Sequence, residues 1–337
     1  MRVAKLTEVQ KIEVTEEVFN KKPARGQAVV QVKAAGICGT DFHIFREGRA
    51  DVELPRVMGH ELAGIVVETG EDAAGLKPGD RVVMDPVISC GHCRTCVSGH
   101  ENVCEDVKCF GVQMDGGFQD YIIADARRLY VFPEDLSFEE AALAEPFSVA
   151  SNILWRTQLK AGDRTVIIGA GTIGLAVLQA AAGLGASVLI SDIEDKKLER
   201  AAAFGADRTV NTRREDLKEA AESFFPGGAD VIIDAVGASA LTQSAVELAA
   251  PFARVAVIAF DGKPMEIPPV YITKKELTLA GSRMNCGRFP EVLQWMKEGK
   301  IRPKEMITAV YPIEEIQHAF EEMMKGDSAS VKTIISF

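Results

Sequence analysis

Residues 164–174 read RTVIIGAGTIG, a run of β-branched residues that ends in glycines at 169, 171 and 174. G-x-G-x-x-G placed directly after a strand-type run and ahead of an alanine-rich stretch through Leu184 predicts strand, tight turn and helix. Gly169, Gly171 and Gly174, with Thr172 and Ile173 between them, let backbone N–H groups approach a pyrophosphate at the helix N-terminus. A glycine turn that holds nothing is the competing reading, and the flanking strand and helix speak against it. SVLISD (187–192) is a second strand. Asp192 closes it, where a carboxylate can bind both adenosine ribose hydroxyls and repel a 2′-phosphate, so the pattern points to NAD over NADP. Lys197 either assists at the ribose or is a solvated lysine on the following helix.

Working outward, EDKKLERAAAFG (194–205) is a helix closed by Gly205. DRTVN (207–211), ADVIIDAVG (229–237), RVAVIAF (254–260) and LTLAGS (277–282) supply further strands with helical stretches between most of them. Alternating strands and helices predict an α/β unit with a doubly wound parallel sheet, bounded at 149–283. The chain before it is mostly β: Ala28–Ala35, Glu61–Glu68 and Asp80–Met84 alternate as strands, and glycine and proline punctuate them at Gly36, Gly59, Gly70 and Pro78–Gly79. Ser137, with Glu140 three residues on, offers a capping box for the first clear helix. From about Met284 two helices, FPEVLQWMKEG and IEEIQHAFEEMM, and a final strand KTIISF return to the first domain. The expected domains are therefore 1–148 with 284–337, and 149–283.

With 337 residues, 47% hydrophobic and 26% charged, the chain has the balance of a two-domain globular protein. A net charge of −11 argues against nucleic acid or anionic membrane as a main partner. The start, MRVAKLTEVQ, is too polar for a secretory signal. Thr165–Ser191 carries no charge, but five glycines and a change of periodicity make it a buried strand and helix instead of a membrane span. The reading is a cytoplasmic protein.

Two groups of residues carry metal chemistry. Cys90, Cys93, Cys96 and Cys104 follow C-x2-C-x2-C-x7-C, within a lobe at about 86–106. Closely spaced thiolates can converge on one tetrahedral ion, and zinc is the usual occupant. Disulfides and unrelated free thiols are the rivals, weakened by the lack of a secretory signal. Four sulfurs close a site to substrate, so this zinc is structural. Cys38, His60 and a carboxylate make a mixed sulfur, nitrogen and oxygen set that suits a catalytic zinc with an open position. Singly, a cysteine after a strand is usually packing and His60–Glu61 a surface pair; together, ahead of the lobe and the glycine turn, the metal reading dominates. His92, His100 and His318 have plain structural readings, and Cys109 and Cys286 are odd thiols.

On these motifs the chain resembles the zinc-containing medium-chain alcohol and polyol dehydrogenases over essentially its whole length. The matching pieces are GICGTDFH (36–43), PRVMGHELAGIVVETG (55–70), the four-cysteine lobe, DGGFQDY (115–121), AEPFSVA (144–150) and VIIGAGTIGL (166–175). The resemblance implies a GroES-like catalytic domain, a Rossmann coenzyme domain, an active site between them, and two zinc ions per subunit. It makes Cys38 and His60 zinc ligands. Glu61 is then a third ligand or exchanges on and off the metal, while Glu145 is a ligand or acts on the metal's water; the choice between them stays open. It assigns a proton relay from Thr40 through the nicotinamide ribose to His43. Three residues apart, these two can share one helical turn. The family further implies a homodimer or homotetramer.

The region 281–301 is most similar to L-galactonate/L-gulonate 5-dehydrogenases and related starvation-sensing oxidoreductases, and DPVISCGHC (85–93) and Asn152 lean the same way. Ser282 and Arg283 then stand where the family contacts coenzyme, and Asn285, Phe42 and Phe118 are candidate substrate contacts. An aldonate would also need a cation, with Arg46, Arg49 and Arg288 as candidates. The expectation is an oxidoreductase acting on a small polyol or sugar acid. Threonine, sorbitol or butanediol substrates are alternatives, and a non-catalytic NAD(H) sensor is the rival from another class.

Overall fold

The structure, a computed structural model, describes residues 1–258, 262–326 and 329–337. It divides into two compact units: Met1–Glu145 with Phe289–Lys297 and Pro303–Phe337, and Pro146–Arg288 with Glu298–Arg302. Residues 146–148, 284–288 and Glu298–Arg302, which the sequence reading places with the first domain, lie in the second unit.

In the first unit a seven-stranded sheet runs in the order Ile307–Pro312, Lys332–Ser336, Gln27–Gly36, Glu61–Thr69, Arg81–Met84 and Leu129–Val131, with Tyr121–Asp125 also paired to Gln27–Gly36. Gln27–Gly36 is the hub, bonded to three neighbours. Its alternation is weaker than expected because Val29, Ala34 and Ala35 are buried along with Ala28, Val30 and Val32. The core beneath combines Val30, Leu62, Met84, Phe45, Phe118 and Phe320. Ser137 does cap its helix, accepting from the Glu140 N–H while Glu140 accepts from the Ser137 N–H. The strand Ile307–Pro312 was not foreseen; its residues alternate between half-buried and exposed, and it gains strand form only by pairing with Lys332–Ser336.

Antiparallel pairing decides what meets at one end of this sheet. Gly36 lies opposite both Glu61 and Ile334. Cys38, two residues past Gly36, and His60, one before Glu61, are thereby carried to the same place.

The second unit holds a six-stranded parallel sheet ordered Arg208–Asn211, Ser187–Asp192, Arg164–Ile168, Ala229–Asp234, Ala249–Val257 and Thr278–Gly281. The order reverses beside Arg164–Ile168, which creates a crevice at the strand C-termini. Helices Thr172–Gly183, Asp195–Ala203, Leu217–Phe224, Ser239–Leu248 and Pro269–Lys275 lie in the crossovers. Of the expected strand 254–260, Ala259 and Phe260 lie outside the described residues. Among the described residues no helix is long and apolar enough to cross a membrane.

A close backbone approach in the first sheet supplies a test of its packing. A Cβ on Gly64 would sit 2.3 Å from the Gln31 carbonyl oxygen and 2.6 Å from Val30 Cγ1. Gly64→Ala is expected to lower unfolding stability by about 2 kcal/mol in urea denaturation; unchanged stability would contradict this packing.

Candidate metal centre and coenzyme turn

Helix Gly39–Glu47 begins at Cys38, and its first turn does chemical work. Asp41, fully buried, accepts from the Cys38 N–H at 3.0 Å and the Gly59 N–H at 3.2 Å, tying the helix start to the loop that carries His60. Its other role faces the imidazole, where Asp41 Oδ1 stands 3.5 Å from His60 Nδ1. The ligand atoms of Cys38, His60 and Glu61 all lie within 4.8 Å of one another. His60 Nδ1 is buried and lacks a hydrogen-bond partner among the described residues. Burial disfavours the imidazolium, yet the charges of Asp41 and Cys38 outweigh it and hold His60 well above the usual histidine range. A buried imidazole backed by a carboxylate and set against a thiol and a second carboxylate fits a zinc-type donor set.

Glu61 has a further partner. Lys332 Nζ lies 2.7 Å from both Glu61 oxygens and donates to the Ile37 carbonyl at 3.0 Å. Glu61 is 1% exposed and Lys332 2%. A Cβ at position 36 would come within 2.1 Å of Glu61 Oε2, so only glycine leaves room for that carboxylate. Glu145, at the N-terminal turn of helix Ala144–Arg156, falls outside the ligand cluster but feels the charges of His60, Glu61 and Lys332; burial lifts its carboxyl to about 7. Cys109 also belongs to this neighbourhood: burial raises its thiol to about 12, opposed by the charge of His60 and reinforced by those of Glu145, Asp41 and Cys38.

Thr40 and His43 do share helix Gly39–Glu47. His43 is largely exposed and lies 3.4 Å from Glu47 and 3.3 Å from Arg46. Phe42 is partly buried beneath the Arg46 guanidinium at 5.6 Å. Phe118 corrects the expectation of a substrate wall. At 1% exposure it is core, packed under Gly59 and edge-on to Phe320, so it supports the His60 loop from beneath. Of the candidate cations, Arg49 is held by both oxygens of Asp51, and Arg288 is stacked over Trp155 at 4.3 Å.

In the lobe, Cys93 Sγ lies 3.4 Å from Cys96 Sγ and 3.8 Å from Cys104 Sγ, while Cys90 and Cys96 sulfurs stand 3.9 Å apart. A disulfide would need about 2 Å. Sulfurs at about 2.3 Å from one zinc stand about 3.8 Å apart at tetrahedral angles. Backbone N–H groups of Cys90, Cys93 and Asp106 point at these sulfurs at 3.3 Å, as suits thiolates. The lobe is clasped to the sheet by Arg128, which donates to Asp85, Ser89 and Glu101.

In the second unit, Gly169 has φ 99 and a Cβ there would strike Val236 at 2.6 Å. A Cβ on Gly174 would meet the Gly169 carbonyl oxygen at 1.9 Å, whereas none of the described residues comes within 4 Å of one on Gly171. The outer glycines are needed for packing and the middle one faces open space at the start of helix Thr172–Gly183, a cradle of the right form for a pyrophosphate. Asp192 accepts from the Ala170 N–H at 2.8 Å and from the Ile193 and Glu194 N–H groups, holding its carboxylate beside the turn. Lys197 is half-buried on helix Asp195–Ala203. Ser282 and Arg283 follow the last strand, and Asn285 is buried, accepting from the Gly287 N–H at 3.3 Å.

Sequence reasoning passed over Lys332 and Asp41, and named Cys109 only as an odd thiol. Asp41 had one signal, an acid in the first turn of a helix; Lys332 had none, since KTIISF reads simply as a strand.

A mixed thiol, imidazole and carboxylate cluster, a closed four-sulfur lobe and a dinucleotide-type sheet together make a metal- and nucleotide-dependent oxidoreductase class. Residues 24–134 match the alcohol dehydrogenase GroES-like domain and residues 172–298 the zinc-binding dehydrogenase domain. The chain belongs to the zinc-binding medium-chain alcohol dehydrogenase family. It is 35% identical over 319 residues to the starvation-sensing protein RspB of Escherichia coli K12, covering 94% of this chain and 93% of that one. It is 33% identical to the 2-dehydro-3-deoxy-L-galactonate 5-dehydrogenase of Pseudoalteromonas atlantica, covering 93% and 92%. A crystal structure of an rspB alcohol dehydrogenase from E. coli CFT073, complexed with the cofactor NADH, superposes with a TM-score of 0.94 at 33% identity, covering 100% and 99%.

The Glu61–Lys332 pair yields a direct test. Lys332→Met leaves a buried carboxylate without its cation and is expected to cost about 3 kcal/mol in denaturant unfolding. Adding Glu61→Gln is expected to restore most of that loss. Equal stability of wild type and Lys332→Met would contradict the pairing.

Proposed function

We propose that the protein is a zinc- and NAD-dependent dehydrogenase that oxidises a secondary hydroxyl of a polyol or sugar acid to a ketone, with aldonates of the gulonate or galactonate type as the favoured substrates. The observation that carries this reading is the convergence of Cys38, His60 and Glu61 ligand atoms within 4.8 Å, one turn from Thr40 and His43 on the same helix. When bound, zinc supplies Lewis acidity that makes a hydroxyl proton easier to remove, and NAD supplies the hydride acceptor.

Cys38 and His60 hold the metal, with Asp41 fixing the imidazole and Lys332 fixing Glu61. Thr40 accepts the substrate proton at its hydroxyl and passes it toward exposed His43, whose contacts with Glu47 and Arg46 keep it at the helix surface. Glu145, with its carboxyl near 7, can take or release a proton close to neutrality. The lobe cysteines hold a second zinc that shapes the domain. Gly171 and the helix start receive the pyrophosphate, and Asp192 selects NAD by binding ribose hydroxyls and repelling a 2′-phosphate. The sugar-acid preference rests on similarity to the galactonate-type enzyme, and a homo-oligomer is the assembly we infer.

The test is NADH formation from NAD by the zinc-loaded protein across aldonates, polyols, butanediol and L-threonine, with NADP as the coenzyme control. Turnover of aldonates is expected, together with loss of at least about 1,000-fold in Cys38→Ser while NADH binding persists. Turnover confined to sorbitol, butanediol or threonine would overturn the substrate assignment. Silence across the panel with NADH still bound would overturn the catalytic reading in favour of a sensor.

A further inference from the structure

We infer that Asn152 is a positioning residue for the nicotinamide half of the coenzyme, acting by clamping the backbone of residues 282–284; this rests on the coenzyme reading above. Asn152 lies on helix Ala144–Arg156 and is 1% exposed. Its Nδ2 donates to Ser282 Oγ at 3.2 Å, the Arg283 carbonyl at 3.3 Å and the Met284 carbonyl at 3.1 Å. Three oxygens converge on one amide nitrogen, while Oδ1 has no partner among the described residues. The side chain therefore acts as a donor.

Two more residues on the same helix face complete the strap. Arg156 Nε donates to the Gly281 carbonyl at 2.9 Å, and Trp155 lies under the Arg288 guanidinium. Positions 152, 155 and 156 share one face by helical geometry. The strapped segment is not one the backbone prefers: Met284 takes φ 52, a left-handed conformation that costs a residue with a Cβ about 1 kcal/mol. The converging N–H bonds over-determine that shape.

Its location gives the strap a purpose. Ile168, Asp234, Val257 and Gly281 lie in one lateral row of the parallel sheet. The glycine turn at 169 and the strap at 282 thus leave the same edge, at the strand C-termini where ligands of such sheets bind. Asp192 claims the adenosine half on one side of the switch point, next to Arg164–Ile168. The other half belongs over the side where Ala229–Asp234, Ala249–Val257 and Thr278–Gly281 end. Because peptide C=O and N–H groups point in opposite directions, drawing the Arg283 carbonyl onto Asn152 turns the Met284 N–H away from the helix. A fixed donor of that kind suits a carboxamide oxygen, the polar group of the nicotinamide ring.

The experiment compares NADH and ADP-ribose binding, by calorimetry, in wild type, Asn152→Asp and Asn152→Ala. Asp keeps the shape but sets a carboxylate against the Arg283 and Met284 carbonyl oxygens; Ala serves if that variant does not fold. ADP-ribose, which lacks the nicotinamide, reports on Gly171 and Asp192 alone. NADH affinity is expected to fall at least about 10-fold, the equivalent of one buried hydrogen bond, with ADP-ribose affinity within about twofold of wild type. Equal loss of both ligands would show general loosening of the unit and overturn the inference, as would no change in either. A wild-type protein that binds neither ligand would overturn the coenzyme reading itself.

Discussion

Everything in the metal-binding unit depends on keeping charge inside a packed sheet. Glu61 and Lys332 are almost wholly buried, and an uncompensated ion at such depth would cost several kcal/mol. The ion pair removes most of that cost and constrains its neighbours. Position 36 has to be glycine, because the carboxylate occupies the space of a Cβ. Lys332 has to reach across from the last strand, and that strand is carried there only by pairing with Gln27–Gly36. The chain's C-terminal end is thereby built into a centre whose other members come from its first sixty-odd residues.

Two metal-ligand sets with opposite designs follow from their donors. The lobe offers four soft sulfurs, all within 4.8 Å of one another and fed by backbone N–H groups, a set that by itself completes a four-coordinate ion. The cluster at 38, 60 and 61 offers one sulfur, one nitrogen and a carboxylate already shared with a lysine. A carboxylate with a competing cation is a weaker ligand than a thiolate. Under the proposed function, that property suits a site that has to admit and release substrate. Arg128 ties the lobe to the sheet, reaching Glu101 in the lobe and buried Asp85.

Much of this was legible because the chemistry is local in sequence. The four cysteines sit within fifteen residues, the glycine turn within six, and Cys38, Thr40 and His43 within six. Spacing alone then constrains geometry. What stayed hidden is pairing over long range. Lys332 meets Glu61 across 271 positions, and Asn152 meets Ser282 across 130. Nothing in KTIISF distinguishes a buried ion-paired lysine from one on a strand's wet face, and an asparagine in mid-helix does not announce three oxygens waiting for it. Phe118 was misplaced for a related reason: an aromatic beside a glycine pair can face a ligand or the core, and only Gly59 and Phe320 decide for the core. The edge strand Ile307–Pro312 was missed because its form comes from its neighbour more than from its own pattern.

The central claim is that the two sets are separate zinc sites, one closed and one open. The most direct measurement is zinc content by mass spectrometry of the purified protein and of His60→Ala, alongside the number of thiols that react in the folded state. The account predicts two zinc ions per chain in the wild type, matching the two clusters, and one in His60→Ala, with the four lobe thiols still protected. A wild type without zinc, or a variant that loses both ions and exposes the lobe thiols, would contradict it.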